Sequence, residues 1–239
     1  MNPFEVVGHR GAAGYEPENT IRAILKGIEC GATAIEVDVR RTKDGTLILM
    51  HDETVDRTTN GSGRVADLTF DEIRRFDAGK GEKVPTLEEV LEVTKGKVKV
   101  FLELKEVGYE DKVVGIVDSL NAREYVWIIS FHKEAIKNLK DIAPDIPTGL
   151  IFSALPMRNI DVAKELGVEL VSPFYRLVSR RFIKEAKANG FKVIAWTINE
   201  VEDMVRMFRL GVDGITSDYP CLLREVIDSL SRGVLEFSD

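Results

Sequence analysis

The chain has 239 residues, of which 44% are hydrophobic and 31% are charged, a composition typical of a globular protein with a sizeable core. Its net charge of −7 argues against a broad basic surface, so we expect no nucleic-acid partner. No apolar run approaches the roughly 18 residues of a membrane span. The first residues lack the pattern of a signal peptide, so we expect a cytoplasmic protein without stable membrane insertion.

The two cysteines, Cys30 and Cys221, lie far apart in the chain. Two such cysteines do not make the pattern of a disulfide framework, and we expect them to be reduced packing residues. Nothing in the composition indicates an oligomeric state.

Short β-rich runs alternate with amphipathic helical patterns along the whole chain. Repeated βα units predict a parallel sheet. Eight of them in one domain, residues 1–239, favour an α/β fold of the closed (β/α)8 TIM-barrel type over an open sheet. The predicted strands cover residues 4–8, 34–40, 99–104, 126–131, 147–152, 169–173, 192–197 and 213–217. The predicted helices cover residues 19–30, 86–94, 109–120, 133–142, 159–166, 179–189, 201–210 and 220–231.

A further apolar run at residues 47–51 follows the second strand after a turn at Asp44-Gly45. Such a turn is too short for a parallel crossover, and Asp-Gly favours a β-hairpin. We therefore predict that this run pairs antiparallel with the second strand and extends above the barrel. Residues 52–85, polar and glycine-rich, are interpreted as a small insertion over the barrel mouth, with a helical piece at 70–76.

Acidic side chains lie where the second and third barrel strands end. Because side chains alternate along a strand, Glu36 and Asp38 share one face, as do Glu103 and Lys105. Active sites of such barrels lie at this end of the strands. Three carboxylates there would repel one another without a cation, and oxygen ligands suit Mg²⁺ or Ca²⁺, with Mn²⁺ as an alternative. The set Glu36, Asp38 and Glu103 therefore predicts one divalent metal site.

Two of the three histidines and two cations fall beside these carboxylates. His9 follows the first strand, and His51 ends the hairpin. A pair of imidazoles can act as base and acid in one reaction, although a lone histidine is more often structural. Arg10 and Lys105 are predicted to bind phosphate oxygens. The alternative is salt bridging to Glu36, Asp38 or Glu103, and both can hold if substrate replaces part of the bridge. His132 has no paired motif, and a functional role for it is the weaker interpretation.

Aromatic residues follow the later strands. Trp196, at the end of the seventh strand, is predicted to form an apolar wall for the alcohol part of a substrate, with core packing as the alternative. Phe174 and Tyr175, which follow the sixth strand, are candidates for the same wall.

Polar residues at helix starts are assigned structural roles. Asn19 or Thr20 is the expected N-cap of the first helix. Asp218 is expected to cap the last helix ahead of Pro220.

Taken as an ordered set, the motifs of this chain resemble those of the glycerophosphodiester phosphodiesterases across nearly its whole length. The motifs are His9-Arg10-Gly11, Glu18-Asn19-Thr20, Glu36-Val37-Asp38-Val39, Thr42-Lys43-Asp44-Gly45, His51-Asp52-Glu53-Thr54-Val55-Asp56-Arg57-Thr58-Thr59, Pro85-Thr86-Leu87, Glu103-Leu104-Lys105, Trp196-Thr197-Ile198-Asn199 and Asp213-Gly214-Ile215-Thr216-Ser217-Asp218-Tyr219-Pro220.

The resemblance implies a (β/α)8 barrel and hydrolysis of glycerophosphodiesters to sn-glycerol 3-phosphate and an alcohol. It places the family's metal ligands on Glu36, Asp38 and Glu103, its paired histidines on His9 and His51, and its phosphate contacts on Arg10 and Lys105. Similarity to the related phosphatidylinositol-specific phospholipases C implies His9 as base and His51 as acid.

Other functions remain open on the sequence alone. The nearest is a lysophospholipase D-type or inositol-lipid phosphodiesterase on the same site, for which we would expect a large apolar rim at the mouth. A metal-dependent aldolase or lyase would not require two cations and two histidines together. A metal-holding protein without catalysis would not require the full polar set.

Overall fold

The computed structural model describes residues 4–233. The strands are β1 (Glu5–Gly8), β2 (Ala34–Arg41), β3 (Leu47–Leu49), β4 (Lys99–Leu104), β5 (Val126–Ser130), β6 (Thr148–Phe152), β7 (Leu170–Pro173), β8 (Lys192–Ala195) and β9 (Gly214–Ser217). The helices are α1 (Ile21–Glu29), α2 (Phe70–Ile73), α3 (Leu87–Thr94), α4 (Glu110–Ser119), α5 (Lys133–Ile142), α6 (Pro156–Leu166), α7 (Arg180–Ala188), α8 (Val201–Leu210) and α9 (Pro220–Ser231).

Eight parallel strands close into a barrel with helices between them. The strand order is β1-β9-β8-β7-β6-β5-β4-β2, and β1 also pairs with β2, which closes the ring. The remaining strand, β3, pairs antiparallel with β2, with Val39 opposite Leu49. The predicted (β/α)8 barrel with its hairpin extension is therefore confirmed.

The two faces of the strands have different surroundings. Val37, Val39, Leu102 and Leu104 are fully buried in a core shared with the surrounding helices. The barrel interior holds a second apolar cluster, made of Val7, Ala34, Phe101, Ile129, Ile151, Leu170 and Ile194. This alternation turns the intervening residues of β2 and β4 toward the barrel interior, as the sequence predicts.

The segment between β3 and α3 packs against the hairpin through a small apolar cluster. Ile48 and Met50 of the hairpin join Val55, Val65 and Ile73 of the segment in that cluster. The helical piece predicted at residues 70–76 is the shorter α2, whose N-cap Thr69 forms a capping box with Glu72. The segment therefore folds onto the hairpin side of the barrel.

The expectation that the cysteines are reduced is wrong, because Cys30 and Cys221 form a disulfide. Cys30 ends α1 and Cys221 lies in the first turn of α9, and 191 positions separate them in the chain. Closure of the barrel sets the first βα unit beside the last. Residues at opposite ends of the sequence thereby become neighbours, which spacing along the chain does not reveal.

Helix starts follow local capping signals. Thr20, not Asn19, caps α1, and its side chain accepts a hydrogen bond from the Ala23 backbone. Helix α6 begins at Pro156, three residues earlier than predicted, because proline at a first helical position starts a helix. No helix within residues 4–233 is both long enough and apolar enough to cross a membrane.

Candidate active site

Three carboxylates from neighbouring strands meet at the carboxyl end of the barrel. Parallel pairing of β2 with β4 places Asp38 opposite Glu103, and Glu36 lies two residues before Asp38 on the same face. One oxygen from each of the three carboxylates lies within 4.8 Å of the other two. All three side chains are buried. The predicted triad is therefore a compact cluster and not a set of solvated strand ends.

The charges of this cluster are incompletely compensated by the protein. Glu36 Oε1 and Asp38 Oδ1 are buried and accept no hydrogen bond, although Lys105 Nζ lies 3.3 Å from Asp38 Oδ1 as an ion pair. Burial and the negative charge of Asp38 raise the pKa of Glu36 to about 8, and the same two causes raise the pKa of Glu103. Burial opposes ionisation of Asp38 too, but Lys105 and Arg10 outweigh it and lower the pKa of that carboxyl. Buried oxygens of this kind suit a hard cation.

Arg10 and Lys105 lie against the triad, so the salt-bridge interpretation of both residues holds. Arg10 Nε lies 3.2 Å from Asp38 Oδ2, and its Nη1 donates to Glu18 Oε1 at 2.8 Å. Lys105 Nζ donates to Glu103 Oε1 and lies 3.3 Å from Asp38 Oδ1. Both cations also line the cavity at the mouth, where an anionic group would meet them.

Two residues after β1, Arg10 and Asn19, adopt left-handed backbone conformations and form hydrogen bonds with the triad. Arg10 adopts a left-handed conformation with φ 49°, and its N–H donates to Glu36 Oε2 at 2.9 Å. Asn19, at φ 56°, donates from its amide to Asp38 Oδ2 and accepts from the Asp38 N–H. Left-handed backbone at non-glycine residues carries strain that the surrounding contacts must offset, and such strain is common at functional sites.

His9 is held by a carboxylate that directly follows the last strand. Its Nδ1–H donates to Asp218 Oδ1 at 2.6 Å, and Asn199 Nδ2 donates to Asp218 Oδ2 at 2.6 Å. The expectation that Asp218 caps the last helix is wrong, because Tyr219 is the N-cap residue of α9 and no side chain caps it. Gly8 pairs with Ser217, so the residues following β1 and β9 meet. This strand register would have predicted that Asp218 lies beside His9.

His51 is held from two directions at the end of the hairpin. Its Nδ1–H donates to Asp52 Oδ1 at 2.7 Å, and Arg57 donates to both oxygens of Asp52. Arg40, buried on β2, donates from Nε to the His51 carbonyl at 3.0 Å. The hairpin thus returns His51 to the strand that carries two of the three acids, as predicted.

The surroundings of the two histidines shift their pKa values in opposite directions. Burial would lower the pKa of His9, but the hydrogen bond to Asp218 and the nearby charge of Glu36 raise it. Burial lowers the pKa of His51 despite the opposing effects of Asp38 and Asp52. The His9 side chain is 18% exposed and that of His51 is 35% exposed, so His9 lies deeper.

The two histidines, Arg10, Lys105 and two of the three acids line one cavity of about 210 Å³, and Asp38 does not line it. Trp196 lines it and donates from Nε1 to the Ser172 carbonyl at 2.8 Å. Phe131, which the sequence did not single out, also lines it and packs edge-to-face on Trp196. Phe174 packs on Trp196 without lining the cavity. The lining residues are His9, Arg10, Glu36, His51, Glu103, Lys105, Ile129, Phe131, Ile151, Ser172, Trp196, Thr197 and Thr216.

Two other candidates do not line this cavity. Tyr175 follows Phe174 and contacts its ring. His132 is exposed, and its Nε2 bonds the Lys105 carbonyl at 3.1 Å. The structure therefore separates His132 from the other two histidines.

The chain is similar to known phosphodiesterases in sequence. The model of the glycerophosphoryl diester phosphodiesterase family matches residues 9–222. The glycerophosphodiester phosphodiesterase of Caldanaerobacter subterraneus subsp. tengcongensis is 40% identical over 228 residues, covering 90% of this chain and 94% of that protein.

The chain is also similar to solved structures of phosphodiesterases. A phosphodiesterase of Oleispira antarctica, solved in complex with the product sn-glycerol-3-phosphate, is 28% identical with a TM-score of 0.87, covering 94% of this chain and 97% of that one. The glycerophosphodiester phosphodiesterase of Agrobacterium tumefaciens is 30% identical with a TM-score of 0.84, covering 93% of this chain and 99% of that one. The chain belongs to the glycerophosphoryl diester phosphodiesterase family.

Proposed function

We propose that the protein hydrolyses glycerophosphodiesters to sn-glycerol 3-phosphate and an alcohol with the help of one divalent cation. The observation that carries this proposal is one cavity lined by two cations, two histidines and the carboxylates of Glu36 and Glu103, with Asp38 completing the carboxylate cluster. This combination suits phosphoryl transfer, in which charge on the phosphoryl oxygens is offset while protons move on both sides. Family membership and the product complex of the Oleispira protein support the same substrate class.

Glu36, Asp38 and Glu103 fit a hard divalent ion. All three offer oxygen, and Glu36 Oε1 and Asp38 Oδ1 are buried acceptors without a hydrogen bond that a cation would satisfy. We propose Mg²⁺ or Ca²⁺, with Mn²⁺ as an alternative. Such an ion would act as a Lewis acid on one phosphoryl oxygen and would offset the charge of Glu36, which otherwise raises the pKa of His9.

The chain's own groups divide the remaining work. Arg10 and Lys105 bind phosphoryl oxygens, exchanging part of their contact with the acids for contact with substrate. His9, deep in the cavity, takes the proton from the attacking hydroxyl, which belongs either to the glycerol or to water. His51, at the more open side, protonates the leaving alcohol. Attack by the glycerol hydroxyl gives a cyclic phosphate, which water opens with the two roles reversed.

The alcohol group is proposed to lie along the apolar side of the cavity, against Trp196. The indole is fixed by its hydrogen bond to the Ser172 carbonyl, so it offers a rigid wall. Of the exposed large hydrophobic residues in the described part of the chain, Phe131 alone lines the cavity. One such residue does not make the large apolar rim expected for a lysophospholipase D, so a water-soluble glycerophosphodiester is the favoured substrate.

Residues 52–85 are proposed to belong to the same domain as the barrel. Their apolar cluster includes hairpin residues, and Lys80 binds the Tyr15 carbonyl and the Glu16 carboxylate in the loop after β1. A segment that shares both its core and its polar contacts with the barrel is expected to fold together with it.

The test is release of glycerol 3-phosphate by metal-stripped protein. Glycerophosphocholine and glycerophosphoethanolamine are incubated with the stripped protein, and Mg²⁺, Ca²⁺ and Mn²⁺ are then added back separately. We expect no release before addition and restored release with at least one ion. Unchanged activity in the stripped protein would contradict the metal requirement, and no release with any ion would contradict the substrate class.

A further inference from the structure

Arg57, in the segment after the hairpin, lies between two carboxylates that each hold a residue of the site. Its guanidinium donates from Nε and Nη2 to the two oxygens of Asp52, at 2.6 and 3.1 Å. The same group donates from Nη1 and Nη2 to the two oxygens of Glu18, at 2.8 Å each. One planar cation therefore grips two acids at once, a geometry that suits arginine and that lysine cannot reproduce.

Each of those acids continues to a different functional group. Asp52 Oδ1 accepts both from Arg57 and from His51 Nδ1. Glu18 Oε1 accepts both from Arg57 and from Arg10 Nη1. The chain of contacts therefore runs without a break from the phosphate-binding Arg10, through Arg57, to the proton-transferring His51.

His9, the other histidine of the site, is not part of such a chain of contacts. Its carboxylate, Asp218, is held by the neutral amide of Asn199 and follows a barrel strand directly. His51 instead ends a short hairpin strand whose position relative to the loop after β1 must be fixed by side chains. Arg57 makes that connection, because Glu18 belongs to the loop after β1 and Asp52 to the hairpin end.

We propose that Arg57 is a positioning residue that sets the phosphate contact of Arg10 and the proton transfer of His51 together. This inference rests on the proposed function, because it assigns those two tasks to Arg10 and His51. Arg57 does not line the cavity, so it acts through Glu18 and Asp52 and not by touching the substrate. Removing it releases both ends of the chain of contacts at once.

The expected signature is a combined change in kcat and KM. In Arg57→Gln, kcat falls because His51 loses its orientation, and KM rises because Arg10 loses its support. We expect kcat/KM to fall by about 10- to 100-fold, the usual cost of removing a group that orients a functional ligand. Arg57→Lys keeps the charge but lacks the planar guanidinium that donates to both acids at once. It should therefore resemble Arg57→Gln and not the wild type.

Arg64 provides the matched control. It belongs to the same segment and pairs with a carboxylate, Glu53, at 3.3 Å, but its side chain is 61% exposed and it does not line the cavity. Arg64→Gln should leave kcat and KM within about twofold of the wild type, as for surface pairs in general. A general effect of lost surface charge would instead lower activity equally in both variants.

A double variant that lacks both acids shows whether Arg57 acts through Glu18 and Asp52. In a protein that already carries Glu18→Gln and Asp52→Asn, adding Arg57→Gln should change kcat/KM by less than about twofold, because the groups through which Arg57 acts are gone. A large further loss there would show that Arg57 contacts the substrate directly and would overturn the proposal.

A readout without turnover separates this inference from the proposed function. Binding of glycerol 3-phosphate, measured by calorimetry on metal-loaded protein, should weaken severalfold in Arg57→Gln and stay unchanged in Arg64→Gln. Wild-type protein that releases no glycerol 3-phosphate would contradict the proposed function. An active wild type with an Arg57→Gln variant of normal kcat, KM and product affinity would overturn the role of Arg57 alone.

Discussion

The two sides of the cavity come from different parts of the barrel and differ in chemistry. Among the described residues, every titratable lining side chain belongs to β1, β2, β4, their following loops or the hairpin end. The strands from β5 to β9 and their ends supply uncharged residues, including Ile129, Phe131, Ile151 and Trp196. Both sides use the same strand alternation, so the difference lies in the side chains alone.

The apolar side of the cavity strengthens the electrostatic contacts made by the charged side. An apolar wall excludes water from one side of the charged cluster and lowers the local dielectric, which strengthens every electrostatic contact across the cavity. The charged side performs the chemistry, and the apolar side sets its surroundings and the fit of the alcohol. Changes on the charged side should therefore affect turnover strongly, and changes on the apolar side should affect substrate preference.

The largest effects are expected for the two histidines. His9→Ala and His51→Ala should each lower kcat by at least about 100-fold with an alkyl alcohol as leaving group. A p-nitrophenyl leaving group needs little protonation, so His51→Ala should recover much of its activity with that substrate and His9→Ala should not. Recovery of His9→Ala instead would exchange the two assignments, and near-normal activity in either variant would refute its role.

The carboxylate behind His9 should have the next largest effect. Asp218→Asn keeps the shape but removes the charge that orients and stabilises the imidazolium, and kcat should fall by about 10- to 100-fold with little change in KM. Steady-state kinetics would measure both constants. Unchanged kcat would mean that Asp218 only supports the loop before α9.

Metal affinity should depend on pH through Glu36. Burial raises the pKa of this carboxyl to about 8, and a cation binds only the ionised form. Below that pH the proton competes, so affinity for Mn²⁺ should fall about tenfold per pH unit between pH 8 and 6. Calorimetry at pH 6, 7 and 8 would measure it, and an affinity that is constant over this range would contradict a protonated Glu36.

On the apolar side, Trp196→Ala should change selectivity more than chemistry. Loss of the wall should raise KM for glycerophosphodiesters by about 10-fold, as expected when an apolar substrate contact is removed. The kcat for a small leaving group should change less. Comparing a methyl with a choline alcohol group would reveal the shift, and an equal effect on both would place Trp196 in the core only.

The disulfide joins the two sides outside the cavity, and its loss should change activity least. For a separation of 191 residues, loop entropy predicts a stabilisation of about 5 kcal/mol, at the upper end of measured values. A protein with Cys30→Ser and Cys221→Ser should melt about 10–20 °C lower while keeping activity within about twofold. An unchanged melting temperature would show that the disulfide does not contribute to stability.

The local patterns of the sequence were sufficient for the barrel and for the triad. Strand alternation placed Glu36 and Asp38 on one face, and the short Asp-Gly turn required β3 to fold back, so His51 returned to them. These predictions depend on geometry within one or two neighbouring elements, which residue order determines directly.

Features that depend on closure of the barrel were missed. Asp218 and Cys221 contact residues near the other end of the chain, at positions that only the β1–β9 register brings together. Asn19 could be interpreted only as a helix cap, because its bond to Asp38 depends on a left-handed backbone. Arg57 was part of a recognised motif, but the spacing of residues in the sequence does not predict that it bonds two acids from separate loops.

The most direct test of the site is to count bound metal ions. Metal-stripped wild type and Asp38→Asn are each dialysed against Mn²⁺, and bound metal is measured per chain, with Arg64→Gln as the control. We expect one ion per chain in the wild type and the control, and none in Asp38→Asn, because Asp38 lies between the other two acids. An ion retained by Asp38→Asn, or none bound by the wild type, would contradict a cation shared by the three carboxylates.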